Sequence, residues 1–217
     1  MRALGALHGS WWGKVDSEQM VAMFDYANPE YGAAVQAGYE AFLEPALEKF
    51  GWLFSDYTKE VARALGPRTA QLLADMNADN RTLVHGDYRL DNLLFHPDLG
   101  EHGVAAVDWQ ISGRGSGLYD VAYILCNSVP TALRRQREEP LLREYHATVC
   151  DLGATDYSFE QCWLEYRRAV LSGLFVVIYT CGGMDLGNER GLAFVTEAAK
   201  RVDAATLDLK TGEVMPT

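Results

Sequence analysis

The chain has 217 residues, 48% of them hydrophobic and 23% charged, which suits one globular domain with a substantial core. A formal net charge of −11 argues against a nucleic-acid or anionic-membrane surface, since phosphate binding needs clustered Lys and Arg, and leaves neutral or cationic small molecules as the better-suited partners. Cys126, Cys150, Cys162 and Cys181 form no Cys-x-x-Cys pair and sit in apolar helical patterns, so they are expected to be reduced thiols of a cytoplasmic protein. The most apolar stretch, 169–179, falls short of the ~20 residues that span a bilayer.

In chain order, Trp11 and Trp12 come first, and at least one of them is expected to pack into the core or a lobe interface. Over 29–50, the spacing of Tyr31, Val35, Gly38, Phe42, Ala46 and Phe50 predicts an amphipathic helix with that stripe inward. Two shorter helices follow over 57–65 and 67–76, the second with Pro67 in its first turn. Between Arg81 and Gln110 the pattern changes to short apolar runs, 82–84, 93–95 and 104–107, read as strands separated by polar loops. Gly113, Gly115 and Gly117 read as a flexible loop, because a lone Gly-x-Gly-x-Gly without a preceding βαβ pattern is weak evidence for a phosphate cradle. Helices return over 119–128, 131–138, 140–152, 158–181 and 188–209, with Pro140 expected to open a new helix and Ser158 with Gln161 to form a capping box. His96 and His102 are expected to be surface loop residues, and the acidic residues Asp185, Glu189 and Glu197 a solvated face. The fold class is therefore α+β and mostly helical. A helical part over 1–81 and another over 118–217 flank catalytic and metal loops over 82–117.

The segment 83–95 carries the chemistry. Asp87 and Asn92 lie five positions apart on a loop clasped between two apolar strands, which lets Asp87 face an incoming hydroxyl while Asn92 turns toward a metal on a nucleotide phosphate. Asp108, at the end of the next strand, adds a second hard oxygen ligand, so Asn92 and Asp108 together can hold Mg²⁺. Turn-forming Asp and Asn often do no more than cap loops, but here spacing, flanking strands and downstream motif agree.

The His85-Gly86-Asp87 through Asn92 loop followed by Val107-Asp108-Trp109-Gln110 resembles the aminoglycoside phosphotransferase, choline kinase and ecdysteroid-kinase-like (CHK kinase-like) superfamily, whose catalytic loop is related to that of protein kinases. The run 113–123, with its Asp120-Val121-Ala122-Tyr123, resembles that family's glycine-containing loop and following helix, and Leu7-His8 with Trp11-Trp12 resembles the helix after its inter-lobe hinge. The resemblance implies a protein-kinase-like C-terminal lobe that uses ATP as co-substrate and Mg²⁺ as cofactor to phosphorylate a small-molecule hydroxyl. It implies that Asp87 orients or deprotonates the acceptor hydroxyl, that Asn92 and Asp108 bind Mg²⁺ and with it the nucleotide, and that Arg89 faces the transferred phosphate. His85 is expected to buttress the loop, and Asp120 to bond it or cap its own helix.

Family members begin with a nucleotide-covering lobe that carries a glycine-rich hairpin and a strand lysine, whereas six residues precede Leu7 here. The expectation is a single lobe whose N-lobe is absent and which by itself is a weak or inactive kinase, each missing electrostatic element being worth ~3 kcal/mol. An alternative is a non-catalytic kinase-like module that binds a ligand, a second copy as a homodimer, or a separate N-lobe partner through an exposed apolar inter-lobe surface.

Overall fold

The computed structural model describes residues 1–183 and 189–217. Asp185 and Asn188 lie outside these. Helix α1 (Arg2–Trp11) is followed by the two-residue strand β1 (Phe24–Asp25) and the long helix α2 (Pro29–Phe50). Helix α2 starts where Asn28 accepts from the Glu30 amide with Pro29 in the first turn, both favourable helix starts. Helices α3 (Asp56–Leu65) and α4 (Thr69–Met76) lead into β2 (Arg81–Val84), and β3 (Leu93–Phe95), β4 (Val104–Ala106) and β5 (Gly113–Ser116) follow. The chain closes with α5 (Gly117–Tyr123), α6 (Thr131–Asp151), α7 (Phe159–Gly183) and α8 (Glu189–Asp208). Among the described residues no helix is long and apolar enough to cross a membrane.

The core centres on α7. Of the stripe its spacing predicts, Phe159, Cys162, Tyr166, Val170, Leu174 and Ile178, all but the partly buried Phe159 are fully buried, and so are Ala169, Leu171, Val177 and Cys181 on its other sides. A helix apolar nearly all round belongs in the middle of a bundle. The capping box forms as expected: Ser158 Oγ accepts from the Gln161 amide at 3.1 Å and Gln161 Oε1 accepts from the Ser158 amide at 2.9 Å. The four cysteines are free thiols, and burial pushes those of Cys126 and Cys162 up to about 12.

Four expectations need correction. Helix α2 is rotated from the predicted stripe, of which Ala46 is fully buried while Tyr31, Val35, Phe42 and Phe50 only flank the core; Tyr39, Leu43 and Leu47 beside it are buried instead. Alternate stripes on a helix rich in apolar residues are close in angle, and tertiary packing decides between them. Pro140 lies inside α6 and does not begin a helix. The helix carries across it because it is anchored on both sides, by the buried Arg134 with Glu138 and Asp208 before the proline and by the buried Leu142, Tyr145 and Val149 after it. The predicted helix over 119–128 is α5 continued by a single π turn, 124–128, closed by Val129 N donating to Ile124 O.

The fourth correction concerns the glycines. Gly113 and Gly115 lie in β5, which is the middle strand of a three-stranded sheet, parallel to β1 and antiparallel to β2. A Cβ on Gly113 would lie 2.6 Å from Phe24 O, one on Gly115 2.9 Å from Asn77 Oδ1, and one on Gly117 2.5 Å from His8 Nδ1. These glycines allow close packing and are not a flexible loop. Strands β3 and β4 form a separate antiparallel hairpin, with Leu93 opposite Ala106.

Candidate active site

Asp87 follows β2 by three residues. Gly86 makes this approach possible: it sits at φ +86°, and a Cβ there would lie 2.6 Å from Ile111 O and 2.7 Å from the Tyr26 hydroxyl. The backbone on either side is held from below by Asp120, which is fully buried and accepts from the amides of His85 at 2.7 Å and Gly86 at 2.9 Å. Asp120 Oδ2 also lies 3.2 Å from His8 Nε2, and His8 Nδ1 lies 2.9 Å from the Tyr145 hydroxyl. The chemistry of the partners sets the protons: a carboxylate can only accept, so His8 Nε2 carries the hydrogen, and Nδ1 accepts from Tyr145. This buried chain ties α1, α5 and α6 to the loop that bears Asp87.

His85 braces the loop as expected. Its Nδ1 accepts from the Asp87 amide at 3.2 Å, so Nε2 is the protonated nitrogen and donates to Val107 O at 3.0 Å. That second bond links the loop to the segment bearing Asp108.

Asp87 is about one-fifth exposed. Its Oδ2 accepts from Asn92 Nδ2 at 2.8 Å and Arg89 Nε at 3.2 Å. Tyr123 adjoins it, and that hydroxyl is held well above its usual pKa by burial first and by the Asp87 charge next. Asn92 is buried, and Nδ2 also donates to Asp87 O at 2.9 Å. With the amide nitrogen committed twice to Asp87, Oδ1 is the end left for a cation. Val107 N donates to Asn92 O at 2.9 Å, which brings Asp108 next to Asn92 along the hairpin. Asp108 is exposed and sits at φ +67°, a left-handed conformation that Asp tolerates better than most residues. One amide oxygen and one free carboxylate make a hard-oxygen donor set that fits Mg²⁺, an ion that keeps several waters and phosphate oxygens for itself. No group of three or more His, Cys, Asp or Glu side chains placed to hold a metal occurs among the described residues.

Arg89, about one-third exposed, bridges Asp87 and Asp91, with its guanidinium 5.7 Å from the centre of the Phe194 ring. Two cavities adjoin this site. The larger, about 490 Å³, is lined by Tyr26, Tyr31, Tyr119, Met76 and Phe175, and Tyr26 also reaches Gly86. The smaller, about 260 Å³, is lined by Arg89, Tyr123, Phe194 and Arg201. Val176 and Thr180 of α7 line both.

All four candidate site residues lie on the loop 85–92 or the adjoining strand end. Sequence reasoning missed His8, Tyr145, Tyr123, Tyr26 and Arg201. His8 and Tyr123 stood within quoted motifs, but only the fold shows His8 touching Asp120.

A carboxylate braced by an amide and a guanidinium, on a loop between two strands of a mostly helical lobe, is an arrangement of the kinase-like fold. Residues 1–153 match the model of the ecdysteroid kinase-like family, and the chain belongs to that family. It is similar to mouse acyl-CoA dehydrogenase family member 10, 36% identical over 110 residues that cover 43% of this chain and 10% of that protein. It is also similar to chicken acyl-CoA dehydrogenase family member 11, 44% identical over 45 residues that cover 21% and 6%. The chain thus spans a tenth or less of the length of these curated relatives. In structure it resembles a candidate aminoglycoside phosphotransferase from Ralstonia eutropha, with a TM-score of 0.50 and 16% identity, over 100% of this chain and 64% of that one. At that identity the likeness speaks to fold alone.

Proposed function

We propose that the chain provides the catalytic lobe of an ATP-dependent O-phosphotransferase acting on a small-molecule hydroxyl. The observation that carries this reading is the double commitment of Asn92 Nδ2 to Asp87, which holds the carboxylate in place and leaves the amide oxygen for a cation. Asn92 Oδ1 and Asp108 would hold Mg²⁺, which when bound supplies charge neutralisation for the nucleotide phosphates. Asp87 orients the acceptor hydroxyl and takes its proton as the bond to phosphorus forms. Arg89, already on Asp87, is placed to meet charge on the transferred phosphoryl group, and Tyr123 and Asn92 limit the rotamers that Asp87 can adopt.

Mg²⁺-dependent ATP binding, followed by calorimetry, should weaken at least ~10-fold in Asp108→Ala, since a charged ligand to the ion is lost. Phosphotransfer should fall ~10²–10⁴-fold in Asp87→Asn, the usual range for a general base. If both variants match the unaltered chain, the site assignment is wrong.

One observation favours a second reading, that of a kinase-like binding module. Leu94, Phe95, Val107, Trp109 and Ile111 are large apolar side chains exposed on and beside the β3–β4 hairpin, with Phe95 63% exposed. Such a strip favours association with a second copy or a separate lobe. A light-scattering mass above that of the monomer, with no thermal shift on adding Mg·ATP, would select this reading.

A further inference from the structure

The wall of the smaller cavity carries charge opposite to that of the molecule. Two cations, Arg89 and Arg201, line it together with Val176, Val177, Phe194 and Val195. Arg89 is matched by Asp87 and by Asp91, the one carboxylate lining this cavity among the described residues. Arg201 is not matched. It is half-buried on α8, its Nη1 donates to Asn127 O at 2.7 Å and Ser128 O at 3.4 Å in the π turn, and no carboxylate among the described residues reaches it. The nearby Glu197 on the same helix is taken by Lys200 at 3.2 Å. Asn127 lines the same wall, and both polar atoms of its side chain are shielded from solvent without a hydrogen-bond partner among the described residues.

A guanidinium facing apolar side chains with its charge unmatched is unfavourable until an anion arrives, and its planar fork fits carboxylate and phosphate geometry. We propose that the acceptor alcohol of this site is an amphipathic anion, a hydroxylated apolar molecule bearing a carboxylate or a phosphate monoester, and that Arg201 binds the anionic group. The inference rests on the phosphotransfer reading of Asp87. The larger, tyrosine-lined cavity lies against the same two residues of α7, Val176 and Thr180. A cationic acceptor, which the net charge of −11 alone would favour, meets the wrong sign of charge at Arg201.

The test uses the 217-residue chain without nucleotide. Calorimetry compares four probes below their micellar concentrations: a hydroxydecanoate, its methyl ester, the phosphate monoester of the matching diol, and the amino alcohol of equal length. The carboxylate or the phosphate should bind ~10–100-fold more tightly than the ester, the span expected for a charged hydrogen-bonded contact, and the amine should bind most weakly. The tighter of the two anions identifies the headgroup. Arg201→Gln should bring the anion-to-ester ratio close to one with ester affinity unchanged, and Arg201→Lys should retain part of the preference. Equal affinity for anion and ester, preference for the amine, an unchanged ratio in Arg201→Gln, or no binding of any probe would overturn the proposal. Should Arg201→Gln fail to fold, the four-probe comparison on the unaltered chain still decides. Mg·ATP binding and its response to Asp108→Ala, measured on the same preparation, separate the two ideas: failure here with that response intact removes the acceptor class alone.

Discussion

Asp87 is held by contacts that differ in kind. The amide of Asn92 fixes one carboxylate oxygen, the Arg89 guanidinium adds charge to the same oxygen, and the Tyr123 hydroxyl hydrogen-bonds the carboxylate. Removing the Tyr123 hydroxyl should therefore weaken catalysis without abolishing it: Tyr123→Phe is expected to lower the phosphotransfer rate ~3–10-fold, the equivalent of one ordinary polar contact. Steady-state kinetics on a preparation with measurable turnover checks this, and a loss confined to KM would assign the hydroxyl to acceptor binding. The place of Asn92 against Asp87 was legible in the sequence because a five-residue spacing between two apolar strands leaves few geometries open. That of Arg201 was not, since it is brought to the loop by a helix more than a hundred residues further on.

At the scale of elements, the loop that bears Asp87 is braced by helices more than by its own sheet. Asp120 of α5 receives two loop amides and the imidazole of α1, all out of contact with water. Asp120→Ala leaves those donors buried and unpaired, which should cost ~3–5 kcal/mol, well beyond an average substitution and visible in urea denaturation. An unchanged midpoint would show that water replaces the carboxylate. Helices α2 and α7 were legible because their length, caps and Pro or Ser starts agree with their periodicity. Strand β5 was not, because strands are recognised by alternating side chains and half of its residues have none. The inward face of α2 was misjudged for a related reason: several apolar stripes run along it, and only Tyr39 against Phe175 settles which is inside.

At the scale of the whole molecule, the ends of the helical half are tied by ions. Arg134, buried on α6, and Arg135 beside it both hold Asp208 at the end of α8. Burial raises the pKa of the Asp208 carboxyl, yet hydrogen bonds and charge from Arg135 and Arg134 outweigh it and leave the pKa below the usual carboxylate value. A carboxyl whose pKa is lowered on folding adds stability above its unfolded pKa of ~3.9 and loses it as pH falls through the folded value. The Tm of the unaltered chain should thus exceed that of Asp208→Asn at pH ~7, and the gap should close toward pH ~3. A gap independent of pH would place the contribution in packing and not in charge. Thermal melts of both proteins across that range supply the measurement.

Gly113, Gly115 and Gly117 bear on how this protein responds to random substitution. Each faces an atom at a distance that no side chain fits, with backbone or ring on the far side. Gly117→Ala should cost ~1–3 kcal/mol by driving a methyl group into His8. Calorimetric melting would register a fall of several degrees, and its absence would mean that α1 yields instead. In a map of tolerated substitutions these positions would stand as intolerant as Asp87, so a reader of such a map would count them among the reactive residues. Comparing abundance with turnover for each variant separates the two groups: the glycines should fail by loss of folded protein, and Asp87 with the amount of folded protein unchanged.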